Sequence, residues 1–289
     1  MRFATLDLDG RVQPVIVSSD GQGFCAISAV VPGFSGDLID LIAAGHALPV
    51  PSSWTPIDGH PLLAPLHPRR NVFCVGKNYH EHAKEFAQSG FDTSAAKGEL
   101  SPEFPVVFTK PASAIVGDGA PVHAFADLTQ QLDYEAELAI IIGKPGRGIM
   151  RERALQHVWG YTTVNDITAR DLQQKHRQWF IGKSMDTFCP MGPWAVTADE
   201  VGDAAALNVR CWVNGALRQD ANTRDLIFDI PTIIATISAG ITLAPGDVIA
   251  TGTPAGVGIG MKPPCFLRAG DVVRISIDRL GTLTNTIAH

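Results

Sequence analysis

The strongest chemical signal in the sequence is a run of alternating acids that leads into an apolar stretch. Asp133, Glu135 and Glu137 precede three consecutive isoleucines at 140–142, and this pattern predicts a strand over residues 133–143 that enters a core. Alternate side chains of a strand share a face, so we expect the three carboxylates together. Buried carboxylates this close need a counter-charge, and a hard divalent cation such as Mg²⁺ is the simplest one. A solvated acidic edge strand fits the isoleucine run less well.

A second candidate group is a histidine and a glutamate three residues apart. His82 and Glu85 follow a short apolar run at a predicted strand-to-helix junction. On a helix they would share a face and could form a hydrogen bond. A histidine oriented by a carboxylate can act as a general base near neutral pH. The same spacing is also typical of a solvated surface contact, so the pair alone does not decide its role.

Two further segments carry groups suited to an anionic ligand. Arg170 and Gln173 lie one helical turn apart after Asp166, and arginine binds carboxylates bidentately while glutamine adds a donor. Lys183 lies in a Gly-Lys-Ser sequence. That sequence is not a phosphate-binding P-loop, because Arg177 stands where the motif needs glycine. We therefore interpret Lys183 as a cation that faces an anionic ligand.

A glycine-rich turn spans residues 251–260 and includes Thr253. A dinucleotide-binding loop should open a helix, but Pro263 and Pro264 follow the turn and prevent one. The pattern therefore argues against a nucleotide. The closely spaced backbone N–H groups of the turn could still hold a carboxylate or an oxyanion.

Composition excludes several classes of function. The chain has 289 residues and a net charge of −6, so it lacks the basic field that nucleic acids or acidic membranes attract. No apolar run reaches the roughly 18–20 residues of a membrane span, and the N-terminus does not resemble a signal peptide. The five cysteines are scattered without a CxxC pair, which is typical of reduced thiols. We expect a cytoplasmic enzyme.

The predicted elements indicate a β-rich α+β fold. Residues 1–68 are expected to form a small N-terminal α/β unit and a proline-rich linker, and residues 69–289 a catalytic domain. Few helices are predicted, at 79–88, 168–178 and 231–238, and a polar, aperiodic loop at 89–103 follows the first of them.

Together and in this order, the motifs resemble the fumarylacetoacetate hydrolase family over about residues 70–289. The matching pieces are Val75-Gly-Lys-Asn-Tyr with His82 and Glu85, Phe108-Thr-Lys-Pro, Asp133-Tyr-Glu-Ala-Glu-Leu, Asn165-Asp-x-x-Ala-Arg-Asp-x-Gln, Gly182-Lys-Ser-x-Asp and Gly252-Thr-Pro-x-Gly-Val. The resemblance implies the mixed β-sandwich roll of that family, a homodimer, and a site that holds Mg²⁺ or Mn²⁺, with Ca²⁺ as a further option.

The resemblance also implies a role for each candidate residue. The metal ligands would be Glu135, Glu137 and Asp166; the catalytic groups His82, Glu85 and Lys183; and the substrate-binding groups Arg170, Gln173, Thr253 and Lys110. Long eukaryotic members carry a fourth metal carboxylate shortly before the histidine. Residues 71–79 contain no acid, so the chain resembles the shorter, bacterial-type branch.

Members of that branch differ in their reaction. The first hypothesis is hydrolysis of the C–C bond of a 2,4-dioxo acid, an acylpyruvate such as fumarylpyruvate, to pyruvate and a carboxylic acid in aromatic catabolism. The alternative is oxaloacetate decarboxylation, or isomerisation and decarboxylation of a dienoic diacid, at the same metal site. A catalytically silent metal-binding scaffold fits least, because both the His82–Glu85 pair and Lys183 are present.

Overall fold

A computed structural model describes residues 1–8, 10–45, 48–88 and 101–289 of the protein. The strands in these ranges are β1 (Arg2–Leu8), β2 (Arg11–Val17), β3 (Gly23–Ala26), β4 (Thr55–Pro56), β5 (Leu62–Leu63), β6 (Val72–Gly76), β7 (Val106–Lys110), β8 (Ile115–Val116), β9 (Val122–His123), β10 (Leu132–Asp133), β11 (Ala136–Ile142), β12 (Val158–Asn165), β13 (Thr168–Ala169), β14 (Cys189–Thr197), β15 (Asn208–Val213), β16 (Ala216–Asn222), β17 (Val248–Ala250), β18 (Val272–Ile277) and β19 (Gly281–Ala288).

The helices in the same ranges are short. They are α1 (Ile27–Val30), α2 (Leu38–Ala44), α3 (His80–Gln88), α4 (Arg170–Lys175), α5 (Phe180–Lys183), α6 (Ala198–Val201) and α7 (Ile230–Ser238). Four 3₁₀ segments, at Ala112–Ala114, Arg151–His157, Thr223–Asp225 and Gly258–Gly260, complete the set within the described ranges. The predicted β-rich α+β class is confirmed.

Two sheets dominate the architecture. The larger has the strand order β4-β3-β2-β1-β14-β12-β11-β17-β6-β7, and the smaller has the order β16-β15-β18-β19-β9. Most pairs are antiparallel, but β17 pairs with β6 and β14 with β8 in parallel, so the larger sheet is mixed. The strands β10 and β13 form a separate two-stranded ladder next to the acidic residues.

Strand β11 lies in the centre of the larger sheet, between β12 and β17. Its Leu138 and Ile140 belong to one buried apolar cluster, whereas Ala139 and Ile141 belong to another on the opposite face. A strand buried on both faces needs a continuous apolar sequence. This requirement explains the isoleucine run that follows the acids.

The N-terminal strands continue the larger sheet, because β1 pairs with β14 at Arg2–Val196 and Phe3–Ala195. The helix α2 begins after Asp37, whose side chain accepts a hydrogen bond from the Asp40 N–H in a capping box. The domain boundary at residues 68 and 69 stays a prediction.

Several predicted elements differ in extent from the observed ones. The single strand predicted over 133–143 is interrupted at Tyr134 and Glu135, because the Asp133 carboxylate accepts from the Tyr134 N–H and the Glu135 N–H donates to the Asn165 side chain. The helix predicted over 168–178 is shorter, since residues 168–169 form β13. Most of the predicted loop at 89–103 lies outside the described residues.

Among the described residues, none of the helices has the length and apolar character that crossing a bilayer requires.

The central position of β11 makes a stability prediction. Ile140 is fully buried, so Ile140→Ala should lower the free energy of unfolding by about 2–5 kcal/mol, through lost burial and the cavity left behind. Urea or guanidinium titration followed by circular dichroism measures the change. The control is Ile241→Ala, because Ile241 is 43% exposed and its truncation should change the free energy by less than about 0.5 kcal/mol. Equal effects of the two variants would contradict the central placement of β11.

Candidate active site

Three buried carboxylates converge where β11 begins and β12 ends. Glu135 and Glu137 flank Ala136, the first residue of β11, and Asp166 follows β12 directly. The ladder between β11 and β12 pairs Ala136 with Asn165, and the Asp166 N–H donates to the Glu135 carbonyl at 2.8 Å. One ligand atom from each carboxylate lies within 4.8 Å of the other two. The structure thus brings the three predicted metal ligands together.

Lysine side chains neutralise part of this negative charge. Lys183 Nζ lies 2.7 Å from Glu135 Oε2 and 2.7 Å from Asp166 Oδ2. Lys110 Nζ lies 2.6 Å from Asp166 Oδ1 and also donates to the carbonyls of Ile167 and Lys183. The Lys110 side chain is fully buried, and it contacts Asp166. Its contacts suit a residue that positions Asp166 and Lys183, and the substrate-binding role predicted for it stays a prediction.

An arginine joins two more acids. Arg170 Nε donates to Asp133 Oδ2 at 2.9 Å, and Arg170 Nη1 lies 2.7 Å from Glu135 Oε1 and donates to the Gln173 side chain at 3.3 Å. The third guanidinium nitrogen, Nη2, is buried and has no hydrogen-bond partner within the described ranges. Leaving a buried donor unsatisfied costs about 1–3 kcal/mol or more, so Arg170 is equipped to bind a further acceptor.

The charges do not balance evenly across the cluster. Burial acts to raise the pKa of Glu135, but the charges of Lys183 and Arg170 outweigh burial and lower it. For Glu137, burial and then the like charges of Asp166 and Glu135 raise the pKa well above its usual value. Its Oε2 accepts a hydrogen bond from the neutral Gly252 N–H at 2.8 Å. A divalent cation held by the three carboxylates would relieve this repulsion, and the donor set fits one.

The glycine-rich turn at 251–260 holds carboxylates, as its sequence predicts, but they belong to the protein itself. Besides Gly252, the Gly256 N–H donates to Glu85 Oε1 at 3.1 Å. The Asp133 carboxylate receives two more backbone donors, from Gly258 at 2.7 Å and from Ile259 at 3.0 Å. The turn therefore holds two acids of the carboxylate cluster, Glu137 and Asp133, and also Glu85 of α3.

The histidine and glutamate predicted as a pair lie on α3, and His82 faces the cavity. His82 Nδ1 lies 3.3 Å from Glu85 Oε2, and His82 is only 4% exposed. Glu85 also fits closely against the glycine-rich turn, because a Cβ at Gly260 would lie 1.9 Å from Glu85 Oε1. The start of α3 is tied to the same turn by Asn78, whose side chain donates to the Thr251 carbonyl at 2.7 Å.

A small cavity of about 20 Å³ lies among these groups. Seven of the predicted residues line it: His82, Glu135, Glu137, Arg170, Gln173, Lys183 and Thr253. Glu85, Asp166 and Lys110 contact these lining residues from behind. The volume corresponds to about one water molecule.

Sequence reasoning missed two kinds of residue at this site. The first is a group of aromatic side chains on the cavity wall, Phe86, Phe108 and Trp179. Phe86 stands four residues after His82, and Trp179 stands four residues before Lys183. Four residues make about one helical turn, so this spacing is a signal that could have identified both. The second is Gln219, fully buried, which accepts from the Ala136 N–H and donates to Thr253 Oγ1 at 2.8 Å. Its spacing on β16 gives no such signal.

A model of one protein family matches most of the chain. The match is to the fumarylacetoacetate (FAA) hydrolase C-terminal model, over residues 71–288. The chain belongs to the fumarylacetoacetate hydrolase family. The resemblance seen in the motifs is thereby confirmed, and with it membership of an enzyme family.

Relatives of this fumarylacetoacetate hydrolase family member include two oxaloacetate tautomerases. It is 51% identical over 227 residues to oxaloacetate tautomerase YisK of Bacillus subtilis, covering 78% of this chain and 72% of that protein. The chain is also 45% identical over 228 residues to the protein named oxaloacetate tautomerase fahd2, mitochondrial, of Xenopus laevis. That match covers 78% of this chain and 68% of the relative.

Solved structures of the family share its fold. The fumarylacetoacetate hydrolase of Exiguobacterium antarcticum aligns with a TM-score of 0.87 at 45% identity, over 100% of this chain and 99% of the other. Maleylpyruvate hydrolase of Sphingobium sp. SYK-6, solved with manganese (II) and pyruvate, aligns with a TM-score of 0.75 at 35% identity, over 100% and 99%. The predicted family roll is therefore confirmed.

The uneven charge of the cluster makes a prediction about metal binding. Glu137→Gln removes a carboxylate ligand, so the affinity for Mn²⁺ should fall by at least about 10–100-fold, the loss that removing even an outer-shell partner typically causes. The metal-free protein should not lose thermal stability, because one source of like-charge repulsion is gone. Calorimetric titration with Mn²⁺ and thermal unfolding without metal measure the two effects.

The matched control is Glu152→Gln, on an exposed 3₁₀ segment, which should bind Mn²⁺ as the wild type does. Wild-type Mn²⁺ affinity in a folded Glu137→Gln variant would contradict the assignment of Glu137 as a ligand.

Proposed function

We propose that this protein is a divalent-metal-dependent tautomerase that interconverts the keto and enol forms of oxaloacetate or a closely similar 2-oxo diacid. Two curated relatives that act as oxaloacetate tautomerases support this choice over the acylpyruvate hydrolysis first expected from the motifs. The observation in the site that carries it is the unpartnered Nη2 of buried Arg170 beside the three carboxylates. That donor suits an anionic substrate placed next to the metal position.

The cation would be Mg²⁺ or Mn²⁺, held by Glu135, Glu137 and Asp166. When bound, it would supply a concentrated positive charge beside the 2-oxo acid end of the substrate and favour the enolate over the ketone. Lys110 and Lys183 keep the ligand oxygens in place through contacts of 2.6–2.7 Å.

Three side chains of the cavity bind and orient the substrate. Arg170 and Gln173 would take its second carboxylate, since the guanidinium and amide lie side by side on α4. Thr253 is held by the Gln219 amide and meets the substrate from the glycine-rich turn. These contacts fix which carbon faces His82.

His82 would carry the proton. Its Nδ1 points to Glu85, so the neutral imidazole donates there and leaves Nε2 as the base. Nε2 takes a proton from C3 of oxaloacetate, the C–H electron pair becomes the C2–C3 double bond, and the carbonyl oxygen gains the negative charge. The imidazolium then returns its proton to that oxygen, which gives the enol and restores the base.

Hydrolysis of an acylpyruvate is the second candidate, and the His82–Glu85 pair favours it. The same base could activate a water for attack on the C4 carbonyl of a 2,4-dioxo acid. A maleylpyruvate hydrolase is among the structural neighbours. Decarboxylation of oxaloacetate needs the same enolate but no base at C3, so it depends least on His82.

The substrate assay separates these reactions. With Mg²⁺ or Mn²⁺, the wild type should accelerate the loss of the enol absorbance of oxaloacetate without matching release of pyruvate. An acylpyruvate assayed in H₂¹⁸O identifies hydrolysis, because only hydrolysis places the label in the released acid. Labelled acid from the acylpyruvate, with no acceleration of oxaloacetate tautomerisation, would replace the first candidate with the second.

The role of His82 makes a kinetic prediction. His82→Ala should lower kcat for tautomerisation by roughly 10²–10⁴-fold, the usual contribution of a positioned general base. KM should change little, because His82 acts on the proton and not on the charged ends of the substrate. His80→Ala, an exposed histidine on the same helix, is the control and should keep both parameters. A His82→Ala enzyme with near wild-type kcat would show that another group carries the proton.

The homodimer implied by the family resemblance stays a prediction, which light scattering on the purified protein tests directly.

A further inference from the structure

The cavity has a charged floor and an aromatic outer wall. Glu135, Glu137 and Lys183 on the floor are at most 4% exposed. Trp179 and Phe108 on the wall are only half-buried. Anything that extends outward from the metal position therefore meets these rings before it reaches solvent.

Trp179 fills the space at this wall through ring contacts. Its indole meets Phe108 edge-on with ring centroids 5.3 Å apart, and Phe86 edge-on at 6.2 Å. Its six-membered ring lies directly over Gly76, where a Cβ would be 2.4 Å from Cζ3. Residue 76 is therefore glycine because the indole occupies the position of any side chain.

The backbone fixes this ring relative to the reacting groups. Trp179 is the residue before α5, and Lys183 is the last residue of that helix. Gly182 in the same helix contacts α4 so closely that a Cβ there would lie 2.5 Å from the Gln173 backbone nitrogen. The distance from the Lys183 ammonium to the indole is thus set by a single tightly packed turn and not by a free loop.

We propose that Trp179 determines how long a 2-oxo acid the site accepts, by closing the cavity beyond the atoms that reach Arg170. The inference rests on the proposed function only in taking a 2-oxo acid as the ligand. A four-carbon diacid ends at Arg170 and Gln173. A longer chain would meet the indole, and the ring cannot shift toward Gly76 because the two are already in close contact.

The test compares the binding of a short and a long ligand with Mg²⁺ bound, using oxalate and 2-oxooctanoate, neither of which has a C–C bond that the second candidate reaction could hydrolyse. Trp179→Ala should tighten 2-oxooctanoate relative to oxalate by about 10-fold or more, the range that added methylenes contribute in an apolar pocket. Trp179→Phe should give a smaller shift in the same direction, because it removes only part of the ring. Calorimetric titration gives both dissociation constants without any turnover.

The matched control is Trp212→Ala. Trp212 is also half-buried but lies on β15 in the smaller sheet, under the Arg274 guanidinium at 5.6 Å, and its loss should leave the ratio of the two constants unchanged. An equal weakening of both ligands in Trp179→Ala and Trp179→Phe would mean that the indole only supports α3 through Phe86, which overturns the proposal. An unchanged ratio overturns it as well.

The outcome is separable from that of the proposed function. If the wild type tautomerises oxaloacetate but the binding ratio does not shift in the variants, this inference alone fails. If the ratio shifts but the wild type does not tautomerise oxaloacetate, the role of Trp179 stands and the proposed reaction fails.

Discussion

The burial of four carboxylates beside three cations is the constraint on which the rest of this structure depends. Asp133, Glu135, Glu137 and Asp166 share a region with Lys110, Arg170 and Lys183, and all seven are almost completely excluded from solvent. An isolated buried charge is costly, so each of these groups must meet an opposite charge or a hydrogen-bond donor with accurate geometry. Arg170, clamped between Asp133 and Glu135, and Lys183, shared by Glu135 and Asp166, meet that condition. Glu137 meets it least, which is why the position beside it is suited to a metal ion.

The glycine-rich turn connects this charge cluster to the proton-transfer group. Its backbone N–H groups hold Glu137 and Asp133 of the cluster and also Glu85 of α3. Gly256 can do so because its φ of 100° is the left-handed conformation that glycine tolerates, and a Cβ there would lie 2.0 Å from the Arg218 carbonyl. A shift of the turn would therefore disturb both Glu137, a proposed metal ligand, and Glu85, the partner of His82. The turn therefore links the base to the metal position.

The site was predictable from the sequence where its residues are near each other along the chain. The spacing of Glu135 and Glu137 and the helical spacing of His82 and Glu85 each reflect local geometry that the sequence encodes directly. The break between β10 and β11 was not predictable, because it arises when Asp133 turns toward Gly258, a residue more than a hundred positions away. The buried places of Gln219 and Lys110 likewise depend on which distant strands meet. The role of Trp179 was not predictable either, because its close contact with Gly76 joins two residues that are about a hundred positions apart in the sequence.

The same charge cluster would suit each of the reactions considered for this site. Tautomerisation, decarboxylation and acylpyruvate hydrolysis all need a 2-oxo acid held beside a cation and a stabilised enolate, and the charge cluster supplies that environment to each of them. What distinguishes hydrolysis is a water between His82 and the substrate. The cavity of about 20 Å³ is only water-sized, so binding of any of these substrates requires the cavity walls to move apart. In the proposed tautomerisation, C3 of the diacid would lie next to the imidazole, whereas hydrolysis of a 2,4-dioxo acid would need a water there. Under the proposed mechanism, the reactions therefore differ in what lies next to His82, and the charges at the cavity floor are common to all of them.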